Sequence, residues 1–274
     1  MKRLSFFSFF DPNNQIDDYV IFYLTELKKV SDIIFSSDGE LSINELEKIN
    51  HLCLFQTGIK HGEYDFGSHK RAYKLVIEKD ILKNYDWLIL ANDSCYGPFV
   101  PFDKIFTKME SLPLDFWGMT HNTVDKSPHI QSYFVALNKS SFLSDIFKNF
   151  ILSIQKEDIR RNIVIKYEHG LTKCLHENGY KYDTYMPDIL GKFTNDPLKN
   201  WDEMIKKGFP FIKRTLFTRN TYNLRNLKNY KKIINNQYPN YNTDLIEGNL
   251  NRYPTYTSNK DLFIKKLKKK LRLK

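Results

Sequence analysis

Four short stretches of this chain carry residues suited to chemistry. In ILANDSCYGPF (89–99) an apolar run delivers Asn92, Asp93 and Ser94, and Tyr96, Gly97 and Pro98 then turn the chain away. A carboxylate in that position suits a hard divalent cation, which prefers oxygen ligands. Such a cation can stabilise a departing diphosphate. Asn, Asp and Ser also favour loop starts, so turn formation alone accounts for the tripeptide as well. In GEYDFGSHKRAY (62–73), Gly62 and Gly67 permit close backbone approach, and Asp65 sits in a polar turn that opens a helix. Lys70 and Arg71 fall in the first turns of that helix. Cations there oppose the helix dipole, so a facing anion is one reading and a solvated basic face the other.

The third stretch is SPHIQSYFVALNKS (127–140), where His129 and Gln131 alternate and so share one side of a strand. They suit a pocket wall, although a strand end at the surface gives the same pattern. The fourth is YEHGLTKCLHENGY (167–180), in which Glu168, Leu171 and Leu175 follow i, i+3, i+7 spacing. The leucines bury the helix, and Glu168 is expected at its N-terminal edge, where the dipole stabilises a carboxylate. Such a group can serve as a general base on a hydroxyl or be an ordinary N-terminal acid.

Periodicity supplies the elements that must hold these residues. Apolar runs predict strands at 4–10, 32–37, 51–56 and 86–93. Helical spacing predicts helices at 16–30, 43–50 (capped by Ser42) and 68–82 between them. Alternating strands and helices call for an α/β fold with a mostly parallel sheet and helical crossovers. Further strands are predicted at 115–120 and 130–138, and helices at 140–154 and 169–180, the last closed by Gly179. Ligands of open parallel sheets bind beyond the carboxyl ends of the strands. Asp11, Ser36, Ser37, Asp38, the stretch after Gln56 and Asn92, Asp93 and Ser94 should therefore converge on one rim. Beyond residue 190 the chain is rich in Asn, Lys and Tyr and carries Pro197, Pro210, Pro239 and Pro254, so helices are expected there without a readable order.

Composition narrows the class. The chain has 274 residues, 41% of them hydrophobic and 15% aromatic, which argues against general disorder. No stretch approaches the roughly 18 consecutive apolar residues of a membrane span. The opening MKRLSFFSFFDPNNQ has a serine inside its apolar run and lacks a small-residue cleavage site, so it reads as a buried first strand. Cys53, Cys95 and Cys174 are odd in number and have no metal-ligand spacing, which fits a reduced, cytoplasmic protein with cysteines as buried filler. The formal net charge is +10, so anionic partners are expected. Much of it lies in KKLKKKLRLK at the C-terminus.

Together, YDFGSHKRAY, NDSCYGPF, DFWGMT, HIQSYF and YEHGLTKCLHENGY closely resemble the rhamnan synthesis protein F family, over roughly residues 3–190. SFFDPNNQIDDYVIFYLTEL and DIIFSSDGEL look like that family's N-terminal pattern, and GFPFIKR (208–214) extends the match. The resemblance implies a GT-A-like glycosyltransferase of bacterial cell-surface polysaccharide: capsule, O-antigen or cell-wall rhamnan. The implied organisation is a nucleotide-sugar-binding and catalytic domain at 1–190, a helical extension on the acceptor side at 191–259 and a basic tail at 260–274. By similarity to family 2 glycosyltransferases, Ser37 and Asp38 stand where an acid contacts the nucleotide base. Asp93 matches the second carboxylate of the aspartate-x-aspartate metal motif, with Ala91 in place of the first. Glu168, Leu171, Leu175 and Gly179-Tyr180 reproduce the spacing around the catalytic base, so Glu168 inherits that role. The implied mechanism is a single displacement with inversion.

The implied donor site comprises Asp11, Ser37, Asp38, Asp65, Gly67, Lys70, Arg71, Asn92, Asp93 and Ser94. Tyr96, His129, Gln131 and His169 are expected at the sugar or acceptor pocket, and Asp93 as ligand of Mg²⁺ or Mn²⁺. The implied partners are a nucleotide-sugar donor such as dTDP-rhamnose and a lipid-linked glycan acceptor. In DLFIKKLKKKLRLK, Phe263, Leu267 and Leu271 follow i, i+4, i+8 spacing. That spacing fits a basic amphipathic helix on the anionic inner face of the cytoplasmic membrane, or a frayed, solvated tail. Two other classes compete. A nucleic-acid-binding protein fits the charge, but no helix-turn-helix, zinc-finger or RNA-recognition signature is present. A non-catalytic module that keeps the fold without turnover fits the incomplete metal motif.

Overall fold

The computed structural model describes residues 1–123, 128–187 and 195–253. The expected amphipathic tail at 260–274 falls outside the described residues. In chain order the elements are β1 (Arg3–Phe9), α1 (Asp18–Lys28), β2 (Asp32–Ser37), α2 (Ile43–Glu47), β3 (Phe55–Gly58), α3 (Tyr64–Glu78), β4 (Trp87–Asn92), β5 (Cys95–Tyr96) and α4 (Phe102–Glu110). They continue with β6 (Phe116–Gly118), β7 (His121–Asn122), β8 (His129–Ile130), β9 (Phe134–Asn138), α5 (Lys139–Phe142), α6 (Asp145–Leu152), α7 (Arg160–Ile163) and α8 (Gly170–Glu177). The remainder are β10 (Tyr182–Thr184), α9 (Asp196–Lys199), α10 (Trp201–Lys206), β11 (Ile212–Lys213), α11 (Arg214–Thr218), α12 (Tyr230–Gln237) and α13 (Asp244–Arg252).

The central sheet has seven strands in the order β10-β6-β9-β4-β1-β2-β3. β9 alone runs antiparallel to its neighbours β4 and β6, and the other pairings are parallel. Alternation along each strand fills two cores, one on each face. Phe7, Phe9, Ile89, Ala91, Phe134 and Ala136 face α1 and α4. Leu4, Phe6, Leu88, Leu90, Val135 and Leu137 face α3, α6 and α8. Every residue of β4 is buried. The solid apolar run that predicted a strand covered on both faces therefore has its cause in this double layer.

Several boundaries differ from expectation, each for a local reason. The third strand begins at Phe55, four residues late, because the turn that follows α2 runs to residue 52. α3 begins at Tyr64 rather than 68, since Asp38 holds the amides that open it. The strand expected at 130–138 breaks at Gln131–Tyr133, where Gln131 and Tyr133 both turn to Thr120. The helix at 140–154 is two helices, because the Ser144 side chain caps a new one at Phe147 N. Gly179 closes α8 with φ +88°, a backbone conformation that favours glycine.

Beyond residue 195, apolar residues join the core of the α1 face. Trp201, Met204, Ile205, Phe211, Leu216, Ile234 and Ile246 all belong to it. β11 pairs antiparallel with β5, setting Ile212 against Tyr96 and Lys213 against Cys95. The segment is thereby stitched to the chain just past Asp93. No helix among the described residues is long and apolar enough to cross a membrane.

Candidate functional site

Strand parity decides which carboxylate meets which partner at the carboxyl rim. Ser8 and Asn92 share the sheet face of Phe6 and Leu90, so both look toward α3. Ser8 Oγ donates to Asp65 Oδ1 (3.2 Å) and Asn92 Nδ2 to Asp65 Oδ2 (2.8 Å). Asp65 thus ties the ends of β1 and β4 to the first turn of α3. Asp93 comes one residue later and takes the other side. There Tyr19 of α1 donates to Asp93 Oδ2 (3.1 Å), and Arg214 Nη1 pairs with the same oxygen and with the Asp93 carbonyl (3.1 Å). Burial pushes the Asp93 carboxyl above its ordinary value, against the opposing pull of Arg214 and Tyr19. Arg214 itself is fixed by its backbone amide, which donates to Ser94 O (3.0 Å).

Asp38 is committed to the backbone. Its Oδ1 accepts from the amides of His61 (2.8 Å) and Gly62 (2.7 Å), and Oδ2 from Tyr64 (3.0 Å). It therefore shapes the loop that opens α3 while still bordering the cleft. Asp11 accepts from Arg252 Nη2 (2.7 Å), from Tyr253 Oη and from the Asn13 amide (2.9 Å). Arg252 also binds Asp17 (2.7 Å), so the end of α13 is clasped to the loop after β1. Burial raises the Asp11 carboxyl, but the hydrogen bonds from Arg252, Tyr253 and the backbone outweigh it, and the net position is below the ordinary 3.8. A carboxyl depressed on folding contributes stability that is full above the unfolded value and lost as pH falls through the folded one. Urea titrations between pH 5 and about 2.5 should therefore show wild type losing more stability than Asp11→Asn. Equal losses would remove the clasp from the account.

Glu168 is not at a helix N-terminus. It lies in a π-helical turn, Val164–His169, that runs from α7 directly into α8, so no dipole end supports its charge. Single π-turns inside helices often mark functional positions. Its Oε1 accepts from the Ser132 amide (3.3 Å) and lies 3.8 Å from His129 Nε2. His129 and His169 stack with centroids 3.8 Å apart. The next residue along, Tyr133, accepts from the Asn92 amide (3.3 Å). Through Ser132 and Tyr133, Glu168 is linked to the end of β4 on the β9 side, but Glu168, His129 and His169 do not themselves border the cleft that opens at this rim.

A cleft of about 780 Å³ opens at this rim. Phe10, Pro12, Asp38, Gly62, Tyr64, Asp65, Asp93 and Ser94 wall it from the strand ends, Lys156–Asp158 from one side, and Arg214, Thr215, Thr218 and Arg219 from another. Lys60 also borders it. A second hollow of about 270 Å³, lined by Asp11, Asn14, Gly39 and Glu40, continues it past Phe10, Pro12, Asp38 and Lys60.

Several expected contacts lie elsewhere. Lys70 and Arg71 sit in the second turn of α3, and the anion that faces them is Glu63 (2.7 Å to each). Neither borders the cleft. The close approach at Gly67 is internal: a Cβ there would lie 2.2 Å from Glu63 Cβ. Tyr96 is fully buried and donates to Asn249 (2.6 Å), so it is a core residue. Ser37 is buried, and its hydroxyl finds no partner among the described residues. Gln131 is buried and accepts from Thr120 (2.8 Å). The cations that do reach the cleft are Lys60, Lys156, Arg214 and Arg219. Among the described residues Lys60, Lys156 and Arg219 are in no ion pair. Arg214 is remote from Asp93 in sequence, and its one sequence signal is its place at the end of GFPFIKR.

No group of three or more His, Cys, Asp or Glu side chains among the described residues is arranged to hold a metal ion. Asp93, the expected ligand, receives a guanidinium, and Asp65 receives Ser8 and Asn92. The donor set at this rim does not fit a divalent cation.

The model of the rhamnan synthesis protein F family matches residues 33–272. The chain belongs to that family. Virulence protein VirA of Vibrio anguillarum is 29% identical over 203 residues, 62% of this chain and 64% of VirA. The uncharacterised protein y4gN of Sinorhizobium fredii is 24% identical, over 64% of this chain and 46% of its own. The chain thus spans less than two thirds of the length of either relative. Among solved structures, a cytidylyltransferase from Leptospira borgpetersenii is similar at TM-score 0.39 and 12% identity, covering 68% of this chain and 76% of its own. Core-mannan synthase A from Aspergillus fumigatus, in its Mn/GDP form, is similar at 0.38 and 11%, covering 63% and 69%. A glycosyltransferase involved in glycosylation of the major capsid of PBCV-1 is similar at 0.37 and 12%, covering 77% and 92%.

Proposed function

We propose that this protein is a glycosyltransferase that moves a sugar from a nucleotide donor onto a bacterial surface polysaccharide, with inversion. The observation that carries the reading is the cleft at the carboxyl rim. Remote segments bring carboxylates and cations around it, and its volume suits a small-molecule ligand. The donor's diphosphate lies against Arg214, Arg219 and Lys156, and its nucleoside toward Asp38 and the smaller hollow at Asp11. Glu168 accepts the proton of the acceptor hydroxyl. The freed oxygen forms a bond to the anomeric carbon as the bond from that carbon to the diphosphate oxygen breaks, and the nucleoside diphosphate leaves. Membership of the rhamnan synthesis family supports rhamnose as the sugar, hence dTDP-rhamnose as first candidate donor.

A thermal-shift panel of nucleotide sugars, each with and without Mn²⁺, tests this. A ligand that binds only the folded state raises its stability by RT ln(1 + [L]/Kd), about 2.7 kcal/mol at a hundredfold excess over Kd. At least one nucleotide sugar should raise the melting temperature and support turnover with a lipid-linked glycan. A panel with no shift would remove the reading.

The basic residues at 265–274 support an acceptor presented at a membrane. Seven of them (Lys265, Lys266, Lys268, Lys269, Lys270, Arg272 and Lys274) are each worth about 1 kcal/mol near an anionic surface before screening. Co-sedimentation with phosphatidylserine-containing vesicles should fall with added salt and disappear on deletion of 260–274. Binding that survives the deletion would place the membrane contact elsewhere.

A further inference from the structure

We infer that the leaving diphosphate is held by the Arg214 guanidinium in the place where a divalent cation would otherwise stand, so that donor binding does not require metal. This rests on the glycosyltransferase reading and concerns how the same cleft handles charge.

Asp93 is the carboxylate placed to hold a cation at the end of β4. The cation it holds is part of the chain. Arg214 binds both its side chain and its carbonyl oxygen, and Tyr19 takes the same carboxylate oxygen. A metal ion on that oxygen would have to displace a hydrogen-bonded guanidinium, or bind beside a like charge that the fold cannot move aside. The backbone that leads into Arg214 is held in place. The Arg214 amide donates to Ser94 O, and the preceding strand β11 pairs with β5. Next to it, Lys213 lies 3.4 Å above the Tyr133 ring and 3.5 Å from Ser94 Oγ.

The arrangement leaves Arg214 capacity for a ligand. A guanidinium has five N–H donors in a rigid fork. Nη1 serves Asp93 and Nε is buried, so contact with a ligand falls to the Nη edge of the fork that faces the cleft. The side chain lines the cleft, together with Arg219, Lys156 and Lys60. Arginine binds phosphate by paired, charge-assisted hydrogen bonds. Asp93 then acts as a positioning residue that holds the guanidinium in one orientation.

Isothermal titration of the full chain with UDP, dTDP and GDP, after EDTA treatment and again with Mn²⁺, tests the inference. At least one nucleoside diphosphate should bind with an affinity that Mn²⁺ changes by less than about threefold. Arg214→Lys keeps the charge but not the fork, and should weaken binding about tenfold. Asp93→Asn/Arg214→Gln removes both charges, so neither is left buried alone. It should unfold cooperatively yet bind at least about a hundredfold more weakly. Binding that appears only with Mn²⁺ overturns the inference and leaves the glycosyltransferase reading intact. So does a folded double variant that binds like wild type. No binding of any nucleoside diphosphate under either condition overturns both.

Discussion

Replacing Glu168 with Gln is expected to lower turnover by roughly 10²- to 10⁴-fold, the usual contribution of a positioned general base, while donor binding is unchanged. The substitution is gentle. Glu168 is half-buried and accepts one backbone hydrogen bond, from the Ser132 amide, which a glutamine oxygen also accepts. A loss of activity therefore reports a lost proton acceptor and not a lost fold. The split between binding and turnover carries the argument. If Glu168 only positioned a loop, donor affinity would weaken together with kcat; as a base, it acts in the transition state alone. Glu168→Gln with wild-type turnover would move the base to another residue. Wild type that binds donor but never turns over would favour a non-catalytic module.

The sheet is legible in the sequence because its signals are local. Apolar runs of strand length separated by helical spacing define β1, α1, β2 and β4 almost to the residue, and β4 is buried along its whole length. The convergence of Asp38, Asp65 and Asp93 on one rim follows from parallel topology alone. What escaped was long-range. Asp38 dictates where α3 starts through amides more than twenty residues away, so a helix expected at 68 begins at 64. Lys70 and Arg71 read as ligand cations because their acid, Glu63, precedes the helix and lies seven and eight residues away, beyond the i,i+4 reach of an ordinary helical pair. Glu168 fitted an N-terminal acid because a π-turn joining two helices leaves no mark in periodicity. Arg214 is the largest omission. A residue 121 positions from Asp93 becomes its partner only through the pairing of β11 with β5, each of just two residues. Strands that short carry no recognisable alternation.

Breaking that pair from one side should be more damaging than removing it entirely. Asp93→Asn keeps the shape and can still accept from Tyr19, but leaves the Arg214 guanidinium without its counter-charge. The two side chains are 7% and 16% exposed, too buried for solvent to screen the loss. Removing one member of a buried ion pair typically costs 3–5 kcal/mol, which for a chain of this size lowers the melting temperature by on the order of 10 °C. Arg214→Gln should cost a similar amount, because it strands the Asp93 carboxylate in a site where burial already disfavours the charge. The double variant should recover most of that loss, since two neutral amides can hydrogen-bond where two isolated charges cannot be solvated. A double-mutant cycle by urea unfolding measures the coupling directly. Strong coupling means that the fold itself requires a cation beside Asp93 and that Arg214 supplies it. Additive single effects would mean that the charges are solvated independently, and that the carboxylate at the end of β4 is available to some other ion.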